Sequence, residues 1–398
     1  MITTNDGKNK LRVGIFSDSY HPYVSGVVRS IEILKDELEQ LGHDSYIFAP
    51  NYPFASKEKN VYRYMSVPAP TQRSYFLPIP FSPRLRSQVK KLELDIIHVH
   101  SPFLLGSLGK HISKRFNLPL IFTYHTLYHR YAHYLPIGKD FTSNMINNWN
   151  KKFCNQCDRI IAPSLFVKKL IEENGITTGI DVVPTGLTDA YYYMNDDENW
   201  LRKKFNFNTK EKILLYVGRL GKEKNLSFLI EAMKDILKTQ PFTRLLIVGT
   251  GPEESNLKLL CQTQNLQDSV LFSGQINHQE LLKCYAGADI FTFASQTETQ
   301  GLVVGEAKAS GLPVVSLYSP CMSEMIFNGK DGFLVHNLET FIEKVLYLLE
   351  NENIAKEMGK RGKINSIRFS STILGKKIVN TYLDAIYQKN LLTLCKVK

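Results

Sequence analysis

Two carboxylates, Glu298 and Glu306, flank a run of seven residues and give this sequence its strongest chemical signature. The small residues after Gly301 and the Gly-Leu-Pro at 311–313 predict a helix that begins near Gly301, with Glu298 in the preceding loop and Glu306 on the second turn. Backbone N–H groups at a helix start attract polar oxygens, and carboxylates accept hydrogen bonds from hydroxyls. The pair therefore suits a polyhydroxylated ligand, and a capped surface helix is the alternative.

A basic, glycine-containing segment, Gly218-Arg-Leu-Gly-Lys-Glu-Lys224, follows a strand-type run and precedes a predicted helix. Glycine lets the backbone approach a ligand closely, Arg219 offers a planar fork of donors and Lys224 a mobile point charge. This combination suits a diphosphate. It is not a Walker A loop, because the Gly-Lys-Ser/Thr ending is missing, and a solvated basic turn is the alternative. Residues 249–251, Gly-Thr-Gly, match only half of a dinucleotide-binding fingerprint.

Three histidines lie on or beside predicted strands. His125 ends the run Phe-Thr-Tyr-His, where it can bond a hydroxyl or a carbonyl, and a satisfied core imidazole is the alternative. His98 and His100 alternate along one strand face, but no third ligand stands at a suitable spacing. We therefore expect no metal site.

Length and composition predict a two-domain protein with full-sized cores. The chain has 398 residues, of which 43% are hydrophobic. Six cysteines in a chain of this length do not form a disulfide framework, so a reducing, cytoplasmic setting is expected. The polar N-terminus lacks the pattern of a signal peptide, and no run approaches the roughly 20 apolar residues of a spanning helix. A soluble or peripherally attached protein is expected.

Apolar runs of strand type alternate with helical patterns in two successive series. This order predicts an α/β protein with two Rossmann-like parallel-sheet domains that face one another across a cleft. Residues 1–186 form the first domain, to which a C-terminal helix at 371–398 crosses back, and 187–370 form the second. Polar residues 185–210 are expected to be a linker. The expected strands are 11–16, 44–49, 95–100, 120–124 and 159–162, then 213–217, 244–248, 270–272, 290–293, 313–316 and 332–335.

The formal net charge of +11 is concentrated in the first half of the chain. Residues 1–184 contain 23 Lys/Arg and 15 Asp/Glu, whereas residues 185–398 contain 26 and 23. Residues 59–92 contain seven Lys/Arg and no acidic residue, interleaved with aromatic side chains. Such a mixture suits an anionic membrane interface. Nucleic-acid binding competes, but no recognisable nucleic-acid module is present, and a plain solvated surface is the further alternative.

The residues expected to contact the membrane or a lipid acceptor belong to this basic, aromatic region and to the aromatic segment after His125. They are Arg73, Tyr75, Phe76, Leu77, Ile79, Phe81, Arg84, Arg86, Lys90, Lys91 and Tyr128.

Taken in order, four motifs resemble the retaining family 4 glycosyltransferases of GT-B fold, and the resemblance runs over almost the whole chain. None of the motifs is specific alone, but together they are. They are Phe-Ser-Asp-Ser-Tyr-His-Pro-Tyr-Val-Ser-Gly-Val at 16–27, the Phe-Thr-Tyr-His that ends at His125, Gly218-Arg219 with Lys224-Asn225, and the paired glutamates.

The resemblance implies a role for each matching residue. Glu306 would hold the ribose hydroxyls of UDP, and Glu298 the C3 and C4 hydroxyls of the donor sugar. Arg219 and Lys224 would bind the diphosphate and stabilise its charge as it leaves, and His125 would contact the C6 hydroxyl. The remaining donor-binding residues would act through backbone groups or close approach: Gly26, Gly218, Ile276 at the uracil edge, Thr299, Gln300, Gly301 and Leu302. The usual double glycine of the first loop is Ser25-Gly26 here.

Within the family, the opening segment and the basic aromatic region are most similar to members that glucosylate diacylglycerol. The implied reaction moves glucose from UDP-glucose to the 3-hydroxyl of 1,2-diacylglycerol, on the cytoplasmic side of the membrane and with anionic lipids as partners. The acceptor attacks the face that the nucleotide leaves, and a phosphate oxygen takes its proton, so neither glutamate is a nucleophile. No bound cofactor and no nucleic acid are expected.

The sequence leaves several alternatives open. Galactose differs from glucose in the direction of one hydroxyl, and the resemblance leaves stimulation by Mg²⁺ open. The acceptor can instead be another lipid, such as a phosphatidylinositol, or a soluble sugar. A UDP-sugar 2-epimerase of the same fold is a further alternative, although the glutamate spacing and the Gly-Arg…Lys pair favour a transferase.

Overall fold

The computed structural model of the protein describes residues 10–70, 72–81, 85–126, 139–193 and 198–397. The chain divides into two compact units. Met1–Gly186 together with Ser371–Lys398 form the N-terminal unit, and Leu187–Ser370 form the C-terminal unit. The predicted alternating α/β architecture with two Rossmann-like parallel sheets is confirmed.

The N-terminal unit is built on a seven-stranded parallel sheet with a separate two-stranded hairpin. Its strands are β1 (Arg12–Phe16), β2 (Asp44–Pro50), β3 (Val61–Tyr64), β4 (Ser66–Ala69), β5 (Gln72–Pro78), β6 (Ile96–Val99), β7 (Leu120–Thr123), β8 (Arg159–Ala162) and β9 (Ile180–Val182). Its first helices are α1 (Gly26–Gln40), α2 (Leu85–Leu92), α3 (Leu104–Phe116), α4 (Lys139–Cys154) and α5 (Leu165–Glu173). The order in the large sheet is β3-β2-β1-β6-β7-β8-β9, and β4 pairs with β5 in antiparallel fashion.

The C-terminal unit contains a six-stranded parallel sheet in the order β12-β11-β10-β13-β14-β15. Its strands are β10 (Lys212–Val217), β11 (Thr243–Val248), β12 (Val270–Gly274), β13 (Ile290–Phe293), β14 (Val314–Leu317) and β15 (Phe333–Val335). Its helices are α6 (Glu198–Phe205), α7 (Leu226–Thr239), α8 (Glu254–Thr263), α9 (His278–Gly287), α10 (Leu302–Ala309), α11 (Pro320–Met325), α12 (Leu338–Glu350) and α13 (Glu352–Ser366). The helix α14 (Ser371–Val397) then packs on α1 of the N-terminal unit.

Both sheets reverse their strand order beside their first strand. In the N-terminal unit β1 lies between β2 and β6, and in the C-terminal unit β10 lies between β11 and β13. A crevice forms at the carboxyl ends of the strands where the order reverses, and ligands bind there in open α/β sheets. In the C-terminal unit this crevice is bordered by the loops after β10 and β13, at 218–225 and 294–301.

Local sequence explains why α1 begins at Gly26. Ser25 has an extended backbone, and its Oγ accepts a hydrogen bond from the Val28 amide at 3.3 Å. Such a cap satisfies a helix-start donor that has no partner within the helix. Ile31, Leu34 and Leu38 repeat at helical spacing and are buried against the sheet.

The predicted strands are present with bounds that differ by at most two residues. Two expectations for irregular segments are wrong. The stretch 185–210 contains α6, whose Leu201 is fully buried because α6 packs against α9. The basic segment 59–92, in which no strand was expected, contains β3, which extends the sheet edge beside β2, and the hairpin of β4 and β5. In both cases partners distant in sequence stabilise an element whose local pattern is weak.

A buried ion pair holds α10 to the loop before β15. Lys308 Nζ lies 2.9 Å from Asp331 Oδ2, and the two side chains are 1% and 0% exposed. Lys308 also donates to the carbonyl of Met325, while Asp331 accepts from the Phe327 amide at 2.8 Å and from Asn365 at 2.9 Å. Burial lowers the pKa of Lys308, against the opposing effect of the Asp331 charge.

We predict that Asp331→Ala destabilises the C-terminal unit by about 3–5 kcal/mol, because it leaves a buried ammonium without its counter-charge. Urea unfolding in a Trp149→Phe background measures this, since Trp200 on α6 then reports on the C-terminal unit. The matched control is Glu343→Ala, which removes the exposed Lys344–Glu343 pair and should change stability by about 0–1 kcal/mol. Equal effects of the two variants would contradict the prediction.

Candidate active site

Glycines bring the loops after β10 and β11 into close backbone contact. Gly218 has φ +151°, and a Cβ on Gly249 would lie 2.0 Å from the Gly218 carbonyl oxygen. The Gly218 amide donates to the Val248 carbonyl at 2.9 Å, and the Leu220 amide donates to the Thr250 carbonyl at 3.0 Å. The half fingerprint at 249–251 therefore has a packing role here: it allows the basic loop to lie directly against its neighbour.

The structure brings Lys224 and Glu298 together at the crevice between β10 and β13. Lys224 Nζ lies 2.6 Å from Glu298 Oε1, and the side chains are 19% and 15% exposed. Burial by itself would raise the pKa of Glu298, but the Lys224 charge and the hydrogen bonds from Lys224 and Ser295 outweigh it and lower that pKa. Glu298 is therefore ionised at neutral pH and can only accept hydrogen bonds.

Arg219 lies on the same loop as Lys224 and is more exposed, at 39%. Its Nη1 is 3.4 Å from Glu223 Oε1, and its carbonyl accepts from the Tyr216 hydroxyl at 3.2 Å. The Glu223 carbonyl accepts from Ser295 Oγ at 3.4 Å, which ties this basic loop to the loop that follows β13. Two cations and two carboxylates thus share one end of the sheet.

The predicted helix start at Gly301 is confirmed by α10. Gly301 is the N-cap residue and has a left-handed backbone, with φ 75° and ψ 51°. A Cβ there would lie 2.2 Å from Met322 Cε, the end of a flexible side chain, so it is the left-handed backbone that favours glycine. Gln300 is buried and Thr299 and Leu302 are half-buried, so the loop delivers its backbone amides beside Glu298.

Glu306 lies on the second turn of α10, as predicted, in surroundings unlike those of Glu298. Its Oε1 accepts from the Tyr191 hydroxyl and its Oε2 from the Tyr285 hydroxyl, each at 2.8 Å. His278 Nε2 lies 3.2 Å from the same Tyr191 hydroxyl. Sequence reasoning missed these partners because Tyr191 fell in the expected linker and Tyr285 in an ordinary helical pattern.

Ile276 follows β12 at the same edge of the sheet and is half-buried. The next residue, Asn277, caps α9 by accepting from the Glu280 amide at 2.9 Å. The cap fixes the backbone of this short loop, so the position of the Ile276 backbone is set by the start of α9.

Gly26 and His125 belong to the N-terminal unit, at the carboxyl ends of β1 and β7. Within the described residues, no atom lies within 4 Å of a Cβ built on Gly26, and Gly26 is the first residue of α1. The described fold thus leaves open space beside this glycine. Its neighbour Ser25 occupies the place of the usual first glycine and serves as the helix cap.

His125 is part of a cluster of three imidazoles. Its Nε2 lies 2.8 Å from His100 Nδ1, and the rings of His100 and His98 are 4.2 Å apart. His98 is hydrogen-bonded to the hydroxyl of Tyr382 at 2.6 Å and to that of Thr123 at 2.7 Å. Burial lowers the pKa of His98 to about 3 and that of His125 to about 4, so these imidazoles are neutral at pH 7. Among the described residues, no group of three or more His, Cys, Asp or Glu side chains is arranged to hold a metal ion.

The expected membrane-contacting residues divide into packed and exposed groups. Tyr75 donates its hydroxyl to the Asp18 carbonyl at 2.9 Å, and the Phe76 ring packs on Tyr52 at 5.1 Å, so these aromatics join the hairpin to the unit. Leu77 is half-buried and pairs with Val67. The exposed members are Arg73, Ile79, Phe81, Lys90 and Lys91.

Met65 and Val67, which the sequence did not single out, are exposed beside this group at 72% and 49%. Arg84 and Tyr128 lie outside the described residues, as does the side chain of Arg86. Among the helices described, none combines the length and the apolar character that crossing a bilayer requires.

The sequence matches family models over most of its length. Residues 24–190 match the model described as Glycosyltransferase Family 4, and residues 197–365 match the model described as Glycosyl transferases group 1. The boundary between the two matches falls close to the boundary between the two units.

Two relatives are named alpha-monoglucosyldiacylglycerol synthase. The Streptococcus pneumoniae protein is 34% identical over 390 residues, which cover 96% of this chain and 87% of that protein. The Acholeplasma laidlawii protein is 29% identical over 397 residues, which cover 96% of this chain and 98% of that protein.

A solved structure of Anabaena HepE in complex with UDP-glucose has a similar fold. Its TM-score is 0.75 and its sequence identity is 16%, and the match covers 93% of this chain and 99% of that one. At that identity the likeness shows the fold alone.

The buried His98 predicts a pH dependence of stability. An unfolded histidine binds a proton below about pH 6.5, whereas folded His98 does so only near pH 3. The contribution of His98 to the free energy of unfolding is therefore present above pH 6.5. It is lost as the pH falls towards 3, because the unfolded chain then binds more protons than the folded chain. In His98→Gln the slope of the unfolding free energy against pH should be smaller by up to about 1.4 kcal/mol per pH unit between pH 6.5 and 5.

Urea unfolding at several pH values, in a Trp200→Phe background that leaves Trp149 to report on the N-terminal unit, measures this slope. His111→Gln, at an exposed position on α3, is the control and should keep the wild-type slope. Parallel curves for His98→Gln and the wild type would contradict the prediction.

Proposed function

Because the chain belongs to the family 4 glycosyltransferases of GT-B fold, we propose that it transfers glucose from UDP-glucose to the 3-hydroxyl of 1,2-diacylglycerol at a membrane surface. The product would be alpha-monoglucosyldiacylglycerol. The predicted family and the prediction of a hexosyltransferase are confirmed by the comparisons. The observation that carries the choice of substrates is the match to alpha-monoglucosyldiacylglycerol synthase over 96% of this chain.

The ion pair between Lys224 and Glu298 suits a donor whose leaving group is a diphosphate. Negative charge builds on UDP as the glycosidic bond breaks, and fixed cations at that position stabilise the transition state more than the ground state. Lys224 has three N–H donors, so it can hold Glu298 and donate to a phosphate oxygen together. Arg219, at the exposed rim of the same loop, adds a bidentate donor.

Glu298 is suited to hold the sugar. Its lowered pKa keeps it ionised, and an ionised carboxylate accepts hydrogen bonds from two adjacent hydroxyls. The backbone amides at residues 299–301 lie on the adjoining helix start and complement it as donors. We assign the C3 and C4 hydroxyls of the donor sugar to this group.

The nucleoside is assigned to the remaining residues of the C-terminal unit. Glu306 would accept from the ribose hydroxyls, and the Ile276 backbone would pair with the uracil edge. The roles implied for Gly26 at the phosphate and for His125 at the C6 hydroxyl remain predictions for the N-terminal unit.

The reaction forms a bond between the acceptor oxygen and the anomeric carbon while the bond from that carbon to the UDP oxygen breaks. The electron pair leaves with UDP, and the acceptor proton passes to a phosphate oxygen. The acceptor attacks the face that UDP leaves, so the configuration is retained. In this scheme no protein nucleophile is required, and Glu298 and Glu306 act as acceptors of hydrogen bonds. Stimulation by Mg²⁺ remains open in this proposal.

The hairpin of β4 and β5 and the end of α2 support action at a membrane surface. Ile79 and Phe81 expose apolar side chains, and Lys90 and Lys91 add positive charge close by in the chain. Apolar side chains enter the interface while basic ones attract anionic lipids. We propose peripheral attachment on the cytoplasmic side of the membrane, where the protein would meet both anionic lipids and UDP-glucose.

The test of the function is transfer of label from UDP-[¹⁴C]glucose to diacylglycerol in mixed micelles that contain anionic lipid, followed by lipid extraction. We expect a labelled monoglucosyl lipid, and little product when UDP-galactose replaces the donor. If a labelled product forms only with phosphatidylinositol or a soluble sugar, that compound replaces diacylglycerol as the acceptor. No labelled glycolipid at all would refute the proposal.

Glu298→Ala should abolish transfer and leave UDP binding largely intact, because the carboxylate is assigned to the sugar. Transfer is measured by the labelled-lipid assay and binding by calorimetry with UDP. Glu254→Ala, which removes a surface pair with Lys258 at 2.7 Å, is the matched control and should retain both. Equal loss of transfer and UDP binding in Glu298→Ala would refute this role.

A further inference from the structure

The carboxylate of Glu306 is held by two buried phenols that come from separate parts of the C-terminal unit. Tyr191 lies in the short turn Asp189–Tyr191 and Tyr285 on α9, and each donates to a different carboxylate oxygen at 2.8 Å. Glu306 is 5% exposed, Tyr191 2% and Tyr285 0%. Both oxygens are thus fixed in position, as is the plane of the carboxylate.

The rings that carry these hydroxyls are themselves locked by packing. The Tyr191 and Tyr285 rings meet edge to face with centroids 5.9 Å apart, and the Tyr191 ring meets His278 at 5.6 Å. Beside Glu306 on α10, a Cβ on Gly305 would lie 3.3 and 3.5 Å from the two methyl groups of Leu187. The cradle around Glu306 is therefore held in place by packing within the C-terminal unit.

Two phenol donors orient a carboxylate without exhausting it. Burial, followed by the Glu306 charge, raises the pKa of Tyr285 well above its usual range, so its hydroxyl stays protonated and donates. A carboxylate has about four acceptor sites, two on each oxygen. A pair of adjacent hydroxyls, one for each oxygen, matches the acceptor geometry of a carboxylate held in this way.

We propose that Tyr191 and Tyr285 are positioning residues that present Glu306 to the 2′- and 3′-hydroxyls of a nucleoside diphosphate. The site therefore selects ribonucleotides with both hydroxyls over their deoxy counterparts. This inference rests on the proposed function, in which a nucleotide is the donor and Glu306 accepts from its ribose.

Selectivity follows from the rigidity of the cradle. A site built to bond a hydroxyl rejects an analogue that lacks it, because a buried polar group is then left unpaired. Loss of one phenol hydroxyl lets the Glu306 carboxylate rotate, which weakens its hydrogen bonds to the ribose diol. The affinity for UDP then falls, and the difference in affinity between UDP and a deoxy analogue becomes smaller. Tyr285→Phe and Tyr191→Phe keep the aromatic rings and remove the hydrogen bonds to Glu306. Tyr191→Phe also removes the contact of its hydroxyl with His278 Nε2 at 3.2 Å.

The experiment measures binding of UDP, 2′-deoxy-UDP and 3′-deoxy-UDP to the full-length protein by calorimetry. The wild type should bind each deoxy analogue about tenfold or more weakly than UDP. In Tyr285→Phe and Tyr191→Phe, UDP should bind about several-fold more weakly and the ratio between UDP and the analogues should shrink. The control is Tyr192→Phe, which removes the buried hydroxyl that donates to the Ser366 carbonyl at 2.8 Å and should keep the wild-type ratio.

Steady-state transfer gives a second readout that a purely structural role would not move in this way. The donor KM should rise in both tyrosine variants while kcat changes little. Glu306→Gln, with both tyrosines intact, is the further variant: it replaces one acceptor oxygen by a donor and should bring the ratio for at least one deoxy analogue near unity.

The outcomes separate this inference from the function on which it rests. If the wild type binds UDP and both deoxy analogues equally, the inference fails and the proposed transfer stands. If the analogues are rejected but the tyrosine variants keep the wild-type ratio, the tyrosines are packing residues only. A wild type that does not bind UDP would overturn both proposals.

Discussion

A parallel sheet that reverses its strand order must leave a crevice at the reversal, because the connections on either side of it pass over opposite faces. In the C-terminal unit this constraint places the loops after β10 and β13 side by side. Lys224 and Glu298 are 74 residues apart in the chain, yet their charged groups lie 2.6 Å apart. The chemistry of the unit follows from this neighbourhood: cations come from one loop, and a carboxylate and helix-start amides come from the other.

The two glutamates of the paired motif have different surroundings, and these decide what each can bind. Glu298 faces an ammonium and keeps its charge through an ion pair, which suits a place beside a phosphate. Glu306 is bonded to neutral phenols, whose hydrogen bonds direct its oxygens without a full counter-charge. The loop before α10 therefore carries a carboxylate in an ion pair, and the second turn of α10 carries one that is held by phenol hydrogen bonds.

Most of the fold could be predicted from the sequence, because the central strands are short apolar runs bounded by glycine, proline or polar residues. The start of α10 was predictable since glycine adopts the left-handed turn at Gly301 without steric cost. The helix α6 was not, because its polar pattern is stabilised mainly where Leu201 packs on α9. The strand order was also hidden, since β11 and β12 lie in the chain between the neighbours β10 and β13.

The site residues divide along the same line. The sequence singled out Arg219, Lys224 and the two glutamates, because charged residues beside glycines at strand ends and helix starts are typical of a binding site. The tyrosines on Glu306 are 115 and 21 residues distant along the chain, and tyrosine is a common core residue. His100 was considered only as a metal ligand, whereas its neighbour His125 is the partner that the fold provides. Contacts of this kind depend on tertiary packing, which no local pattern encodes.

The return of α14 to the N-terminal unit has a consequence for biosynthesis. Tyr382 on this helix bonds the buried His98, Lys389 pairs with Asp158 at 2.9 Å, and Gly375 packs against Glu37 of α1. The ribosome makes these residues only after the whole C-terminal unit. The C-terminal unit is contiguous and can complete its core as it emerges, whereas the N-terminal unit, although begun first, must wait for its closing helix. The half of the protein that is translated first is therefore the last to be finished.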